Sequence, residues 1–379
     1  MPLIRSVSCQ LSVLVGMHML KGKRFYSTKL FWGSLAVLVI VATALTQVQG
    51  MINGLTEIAS ADEPFPRRRS PSPDLADRLP PSQPSQPSGT GTQDRSLPLH
   101  TVGLSQPEIL EKYQNYIYEL VTEENLKQLQ VSDPLRNTAK AQTLAILEQL
   151  DGTYRSQLLT FLVDSNLVAA ENPTVSLHGG NFSNTDFSDR SLSNINLRGA
   201  NFSDANLNQT DFSQTKLFGA TLDRSDLSFA NLSNAELFRA SLKNANLFLA
   251  TLTGATLQEA DLTAADLFLA NLQNTNLNKT TLTNADLSFA NLSQAELVFA
   301  NGRDANLSFV NLSDASLSGA DLSRSNLRGA NLSNANLSGT NLSNADLTGA
   351  NLSNANIVGA NLTGVILFNT TMPDGTVQN

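Results

Sequence analysis

Few residues of this chain have the type and spacing for chemistry. There is one cysteine, Cys9, and the three histidines, His18, His100 and His178, are scattered. No Cys/His set has metal-ligand spacing, and no nucleophile elbow or phosphate loop occurs. The closest approach to paired carboxylates is a set of aspartates at equivalent repeat positions: Asp226, Asp266, Asp286 and Asp346. Asn fills the same position more often, which reads as a solvated ladder and not as an acid/base pair. The Asn stacks read likewise as structural ladders, and His178 as a surface histidine. No catalytic, cofactor-binding or metal-binding residue is assigned, and a non-enzymatic role is expected. Net charge is −8 with 15% charged residues. There is no basic face of the kind a direct nucleic-acid binder presents.

The elements that position these residues come from a repeat. From Leu177, every fifth residue is large and apolar: Leu177, Phe182, Phe187, Leu192, Leu197, Phe202 and onward to Met372. Gly302 is the one exception among forty such centres. Two residues before each centre stands Ala in twenty-five cases, with Thr, Ser or Val in most others, and Asn or Asp usually lies between. A period of five fits neither helix nor strand. It predicts a coil that turns a corner every five residues. Four sides then close a turn, and residues twenty apart stack. At strand-like spacing of about 4.8 Å, ten coils make a rod about 48 Å long. The large residue fills the axis, and a bulky one at the small site would overpack it. At Gly302 a void or weak coil is expected.

Sorted by twenties, the four faces are unequal. One reads DLSFA, NLFLA, DLFLA, DLSFA and NLSFV from residues 226, 246, 266, 286 and 306, while the next face is polar. Phe229, Phe248, Phe268, Phe289 and Phe309, joined by Leu249 and Leu269, follow the centres at outward sites. This stripe is the candidate interaction face, for a protein partner, a second copy or the chain's own helical section. The plainer alternative is a corner-packed row that only stabilises the stack.

Four segments precede the repeat. Residues 1–29 carry Arg5, Lys21, Lys23, Arg24 and Lys29 and no acid, and Leu30 to Thr56 carry no charge. Residues 30–50 read as a transmembrane helix or signal anchor, with the amino terminus cytoplasmic and the remainder across the membrane. The alternative is a signal peptide cleaved near Ala44, with Met17 or Met19 as the start. Residues 51–104 read as a Pro/Ser-rich disordered linker. Residues 105–172 predict a small helical domain. A capping box at Ser105 and Glu108 with Pro107 opens it. Ile109, Tyr113, Tyr116, Ile117 and Leu120 recur at helical spacing. Asp133-Pro134 opens a second helix with a stripe of Leu144, Leu147 and Leu150. Asp151-Gly152 breaks it before a third with Leu158, Leu159, Phe161, Leu162 and Leu167. The β-helix spans 173–372, and 373–379 form a tail.

Segments such as NLSNANLSGTNLSNADLTGANLSNAN resemble the pentapeptide-repeat family, whose consensus is A(D/N)LXX. The resemblance covers slightly more than half the chain and implies an all-β right-handed quadrilateral β-helix. The preceding LAILEQLDGTYRSQLLTFLVDSNLV is similar to the leader of cyanobacterial-type members. The best-known members of the family mimic DNA and act on gyrase, so the resemblance implies that role as an alternative. Three features oppose it. The repeat region holds sixteen acids against ten bases, a net charge of −6. The chain ends in PDGTVQN where such mimics carry a dimerising helix. The leader would place the rod away from the compartment that holds gyrase. The expectation is a membrane-tethered protein-interaction or scaffold rod.

Overall fold

The computed structural model describes residues 99–378. The basic tail, the apolar segment at 30–50 and most of the 51–104 linker lie outside them. No helix among the described residues is long and apolar enough to cross a membrane.

Three helices come first: α1 (Gln106–Thr122), α2 (Pro134–Gln149) and α3 (Gly152–Asp164). Each start follows from its local sequence. Ser105 caps α1, and the Glu108 carboxylate accepts from its N–H at 2.7 Å and its hydroxyl at 2.6 Å. That hydrogen bonding holds the Glu108 carboxyl below its ordinary range. Asp133 caps α2 by accepting from the Leu135 N–H, and Asp151 caps α3 by accepting from the Tyr154 N–H. The apolar stripe of α1 is the one its spacing predicts: Ile109, Tyr113, Tyr116, Ile117 and Leu120 are buried. In α2 the inward face is rotated. Ala139, Thr143, Ile146 and Leu147 are buried, and Leu144 is only partly so. Thr143 turns inward because the buried Tyr113 hydroxyl meets its Oγ1 at 2.7 Å. Residues 99–104 pack on these helices. The Leu99 N–H donates to Gln142 Oε1 and Thr101 Oγ1 donates to Gln149 Oε1.

The helices close the first end of the rod, and the two share one apolar core. Gly152 passes so near the first coil that a Cβ there would lie 2.2 Å from the Asn184 carbonyl oxygen. Arg155 donates to the carbonyls of Leu147, at 2.8 Å, and Ser183, at 3.3 Å. Ala169 pairs antiparallel with Ile195, and Lys216 is ion-paired with Glu171. Beneath this cap the axis is aromatic. Phe182, Phe187, Phe202 and Phe212 are fully buried in mutual contact, with centroids 5.1 to 6.2 Å apart.

From Asn181 onward the chain is a four-sided β-helix. Parallel bridges join residues twenty apart, from Asn181 with Asn201 to Asn351 with Thr371. From Phe182 to Leu352 each centre donates to the coil below, as Leu222 N–H does to the Ser241 carbonyl at 2.7 Å. The residue before it bonds to the coil above, as Asn201 does to Gly180. Backbone polar groups that five-residue sides leave without a local ladder are thereby paired. The corner is made at the second residue after each centre, which takes the left-handed conformation, for example Asn234 at φ 57° and Gly254 at φ 69°. This explains the Asn, Asp and Gly found there. The preceding Asn or Asp ties the turn down. Asn201 Oδ1 accepts from the Ser203 N–H and hydroxyl. Side-chain amides also link coils, as in the column Asn271, Asn291, Asn311, Asn331 and Asn351.

At Gly302 the missing axial side chain leaves a cavity of about 10 Å³. Its lining is apolar and includes Leu282, Leu297, Leu307 and Leu322, so a water there would find no partners. Leu322 leans into the gap, its Cδ2 lying 2.8 Å from where a Gly302 Cβ would be. At the far end no helix follows the last coil among the described residues. A two-stranded antiparallel pair, β1 (Thr370–Thr371) and β2 (Val377–Gln378), follows the last coil.

Candidate interaction face

The five phenylalanines form one continuous ladder. Phe229 meets Phe248 edge-on at 5.5 Å, and Phe248 stacks on Phe268 at 5.9 Å with ring planes 3° apart. Phe268 meets Phe289 edge-on at 5.7 Å, and Phe289 stacks on Phe309 at 4.9 Å. These centroid separations lie within the favourable range for aromatic pairs. The rings shield one another. The end rings Phe229 and Phe309 are 40% and 43% exposed. Phe248, Phe268 and Phe289 are half-buried, as are Leu249 and Leu269. The ring of Phe309 lies across Gly329, where a Cβ would come within 2.6 Å.

The backbone under this ladder is costly. Phe229, Leu249, Leu269, Phe289 and Phe309 occupy the left-handed corner at φ 60°, 55°, 59°, 60° and 56°. A Cβ there crowds the following carbonyl, at roughly 1–2 kcal/mol per residue. Five successive coils thus place a bulky apolar side chain where Asn or Gly would relieve the strain.

Charge is uneven as well. Asp226, Asp266 and Asp286 stand in one column on the same face. Each uses Oδ1 to accept from its own turn, at Ser228, Phe268 and Ser288 respectively. Asn246 and Asn306 link to Asp226 and Asp286 through the same oxygens. None of these three is ion-paired among the described residues, whereas aspartates elsewhere on the rod are, as is Asp346 three coils further along the same column. Arg224 holds Asp204 by two bonds of 2.7 Å, and Arg324 holds Asp304 at 2.6 and 2.5 Å. The arginine hydrogen bonds keep both carboxyls below their ordinary range. Lys243 pairs with Asp261 and Arg328 with Asp346.

A second aromatic cluster escaped the reading of the sequence. On the opposite face, Phe218 stacks on Phe238 at 5.4 Å, with Arg198 and Arg239 over their rings. Phe299 on that face is the most exposed ring of the rod, at 64%. The same sorting by twenties contains the signal, at the two sites after each centre. His178 lies beside Gly199 at the first coil. No group of three or more His, Cys, Asp or Glu among the described residues could hold a metal ion.

The pentapeptide-repeat model matches the chain in successive stretches from 181–217 to 325–364. HetL, a pentapeptide-repeat protein involved in heterocyst differentiation regulation in Nostoc sp. strain PCC 7120, is 33% identical. The match covers 54% of this chain and 93% of HetL, with a TM-score of 0.27. Rfr23 from Cyanothece 51142 is 34% identical over 31% of this chain and 91% of its own, with a TM-score of 0.28. QnrB1, described as a plasmid-mediated fluoroquinolone resistance protein, is 21% identical over 50% of this chain and 89% of its own, with a TM-score of 0.25. No curated protein matches. The repeat model and the identity to HetL and Rfr23 over nearly their whole lengths place this chain in the pentapeptide-repeat family, whose right-handed quadrilateral β-helix it shares.

Proposed function

We propose that this protein is a non-enzymatic interaction or scaffold module, a pentapeptide-repeat rod that holds a protein partner along its phenylalanine stripe. The observation that carries the reading is the strained corner. Five consecutive coils hold bulky apolar residues at positive φ, although the fold would be relieved by Asn or Gly there. The polar face beside it takes Asn234, Gly254, Asn274, Gln294 and Asp314 at the same corner, so five bulky apolar residues in succession distinguish the stripe as a site kept for contact. The leader adds a second element to the proposal: residues 30–50 tether the rod to a membrane, with the repeat on the far side.

A DNA-mimic role draws less support. Such a surface needs free carboxylates in a dense array. Here Asn outnumbers Asp in the columns, and Asp204, Asp261, Asp304, Asp321 and Asp346 are ion-paired.

A photo-crosslinking residue placed at Phe268, with Gln273 on the polar face as control, tests the contact in cells. A discrete adduct from position 268 and none from 273 is expected. The same pattern from both positions, or no adduct from either, removes the stripe as the contact. A topology reporter fused after residue 60 tests the tether, and a cytoplasmic signal overturns that part.

A further inference from the structure

We propose that the stripe and its carboxylate column form a docking surface for a basic amphipathic α-helix supplied by another protein. The inference rests on the stripe being a contact face and names what it contacts. Spacing favours a helix. The ladder from Phe229 to Phe309 covers four coil steps, about 19 Å at about 4.8 Å each. An α-helix returns a side chain to the same face every 5.4 Å, so three to four turns lay apolar residues between successive rungs. An extended strand presents same-face side chains only every ~6.8 Å and falls out of step within two rungs.

Charge selects the sign. Among the described residues Asp226, Asp266 and Asp286 each leave Oδ2 without a partner, although every Oδ1 is engaged. These oxygens line one side of the stripe over three coil steps, about 14 Å. The other side is bounded by uncharged Asn231, Thr251, Asn271, Asn291 and Asn311. A helix with Lys or Arg along one edge of its apolar face meets the carboxylates and leaves the other edge over amides. A second copy offers no such cation. The pentads that begin at residues 226, 246, 266, 286 and 306, and those that begin five residues later, contain no Lys or Arg. Stripe-on-stripe pairing therefore leaves both carboxylate columns unmatched. The basic residues of the neighbouring corner, Arg224, Lys243 and Arg303, are already paired with Asp204, Asp261 and Asp321.

The test uses the full chain and two labelled peptides of about fourteen residues, long enough to span the ladder as helices. One is built of Leu and Lys and the other of Leu and Glu with the same apolar face. Fluorescence anisotropy should show saturable binding of the Leu/Lys peptide that weakens with salt, and none of the Leu/Glu peptide. The pair Phe268→Ser and Phe289→Asn should weaken binding about tenfold or more. The triple change Asp226→Asn, Asp266→Asn and Asp286→Asn should weaken it about threefold to tenfold. The column naturally holds Asn at 246 and 306, and an unchanged Tm confirms that each variant folds. Failure to bind the Leu/Lys peptide, equal binding of both peptides, or indifference to the Asp changes overturns the basic-helix partner. The crosslinking result then decides separately whether the stripe is a contact face. Light scattering that shows a dimer abolished by the Phe268 and Phe289 changes makes a second copy the occupant and also overturns the proposal.

Discussion

The two ends of the rod solve one problem differently. A solenoid leaves an apolar axis and an unpaired coil edge at each end, and these need covering. At the first end, three helices cover Leu177, Phe182 and Phe187, all fully buried. At the far end Ile357, Leu362, Val365 and Leu367 are only partly buried, and Val358, Ile366 and Phe368 are 76%, 52% and 54% exposed. Among the described residues the amides of Ile357, Gly359, Leu362, Gly364 and Leu367 have no carbonyl below them, unlike their equivalents one coil earlier. The short β1–β2 pair engages only the neighbourhood of Thr370 to Met372. The contrast shows where the helical section matters. It is short of core by itself, and it borrows the first coil's phenylalanines while sealing them.

The comparison breaks most directly at Gly152. Replacing it with Val drives a side chain into the Asn184 carbonyl, and the cost should be about 3 kcal/mol. A fall in Tm with new dye binding at the phenylalanine cluster is expected, and an unchanged melt would show that the cap does not need this close approach. Hydrogen exchange measures the asymmetry without mutation. Amides of the 357–369 coil should exchange about a hundredfold faster than those of the 197–209 coil, which is held from both sides. Equal protection would mean that the rod opens as a single unit.

Between the ends, Gly302→Leu should fill the cavity and add about 1 kcal/mol, seen as a raised Tm. Its backbone is not left-handed, and the nearest obstacle to a Cβ there is the Leu322 Cδ2. A lowered Tm would show that Leu322 cannot swing back.

The smallest effect separates cap from rod by pH. Asp186 in the rod is held below its usual range, first by the Ser188 N–H and hydroxyl. A depressed carboxyl gives stability that is present above its unfolded pKa of about 3.9 and lost as pH falls through the folded value. The buried Tyr113 in the cap is shifted upward, first by desolvation. Its contribution is present below its unfolded pKa of about 10 and lost as pH rises beyond that. Fragment-resolved exchange should therefore show the rod loosening first in acid and the cap first in alkali. The reverse order would contradict both assignments.

Much of the rod was legible in its sequence. A period of five with a small residue before each centre admits only a coil that turns a corner every five residues, because no helix or strand repeats at five. Stacking by twenties then assigned the phenylalanines to one face without coordinates, and the absent side chain at Gly302 announced its void. The helix starts at Ser105 and Asp133 were equally readable, since capping is a local hydrogen-bond requirement, whereas Asp151 read only as a break and the structure makes it the cap of α3. Other features depended on contacts remote in sequence. That Thr143 and not Leu144 faces inward in α2 follows from the Tyr113 hydroxyl thirty residues away. Alternation of edge-on and stacked rings arises where each ring meets the one a coil further on. The seating of Gly152 over Asn184 and the unmatched Oδ2 atoms beside the stripe are likewise tertiary facts. Periodicity determines which residues share a face, but only packing decides which neighbours shield them and which groups are left without a partner.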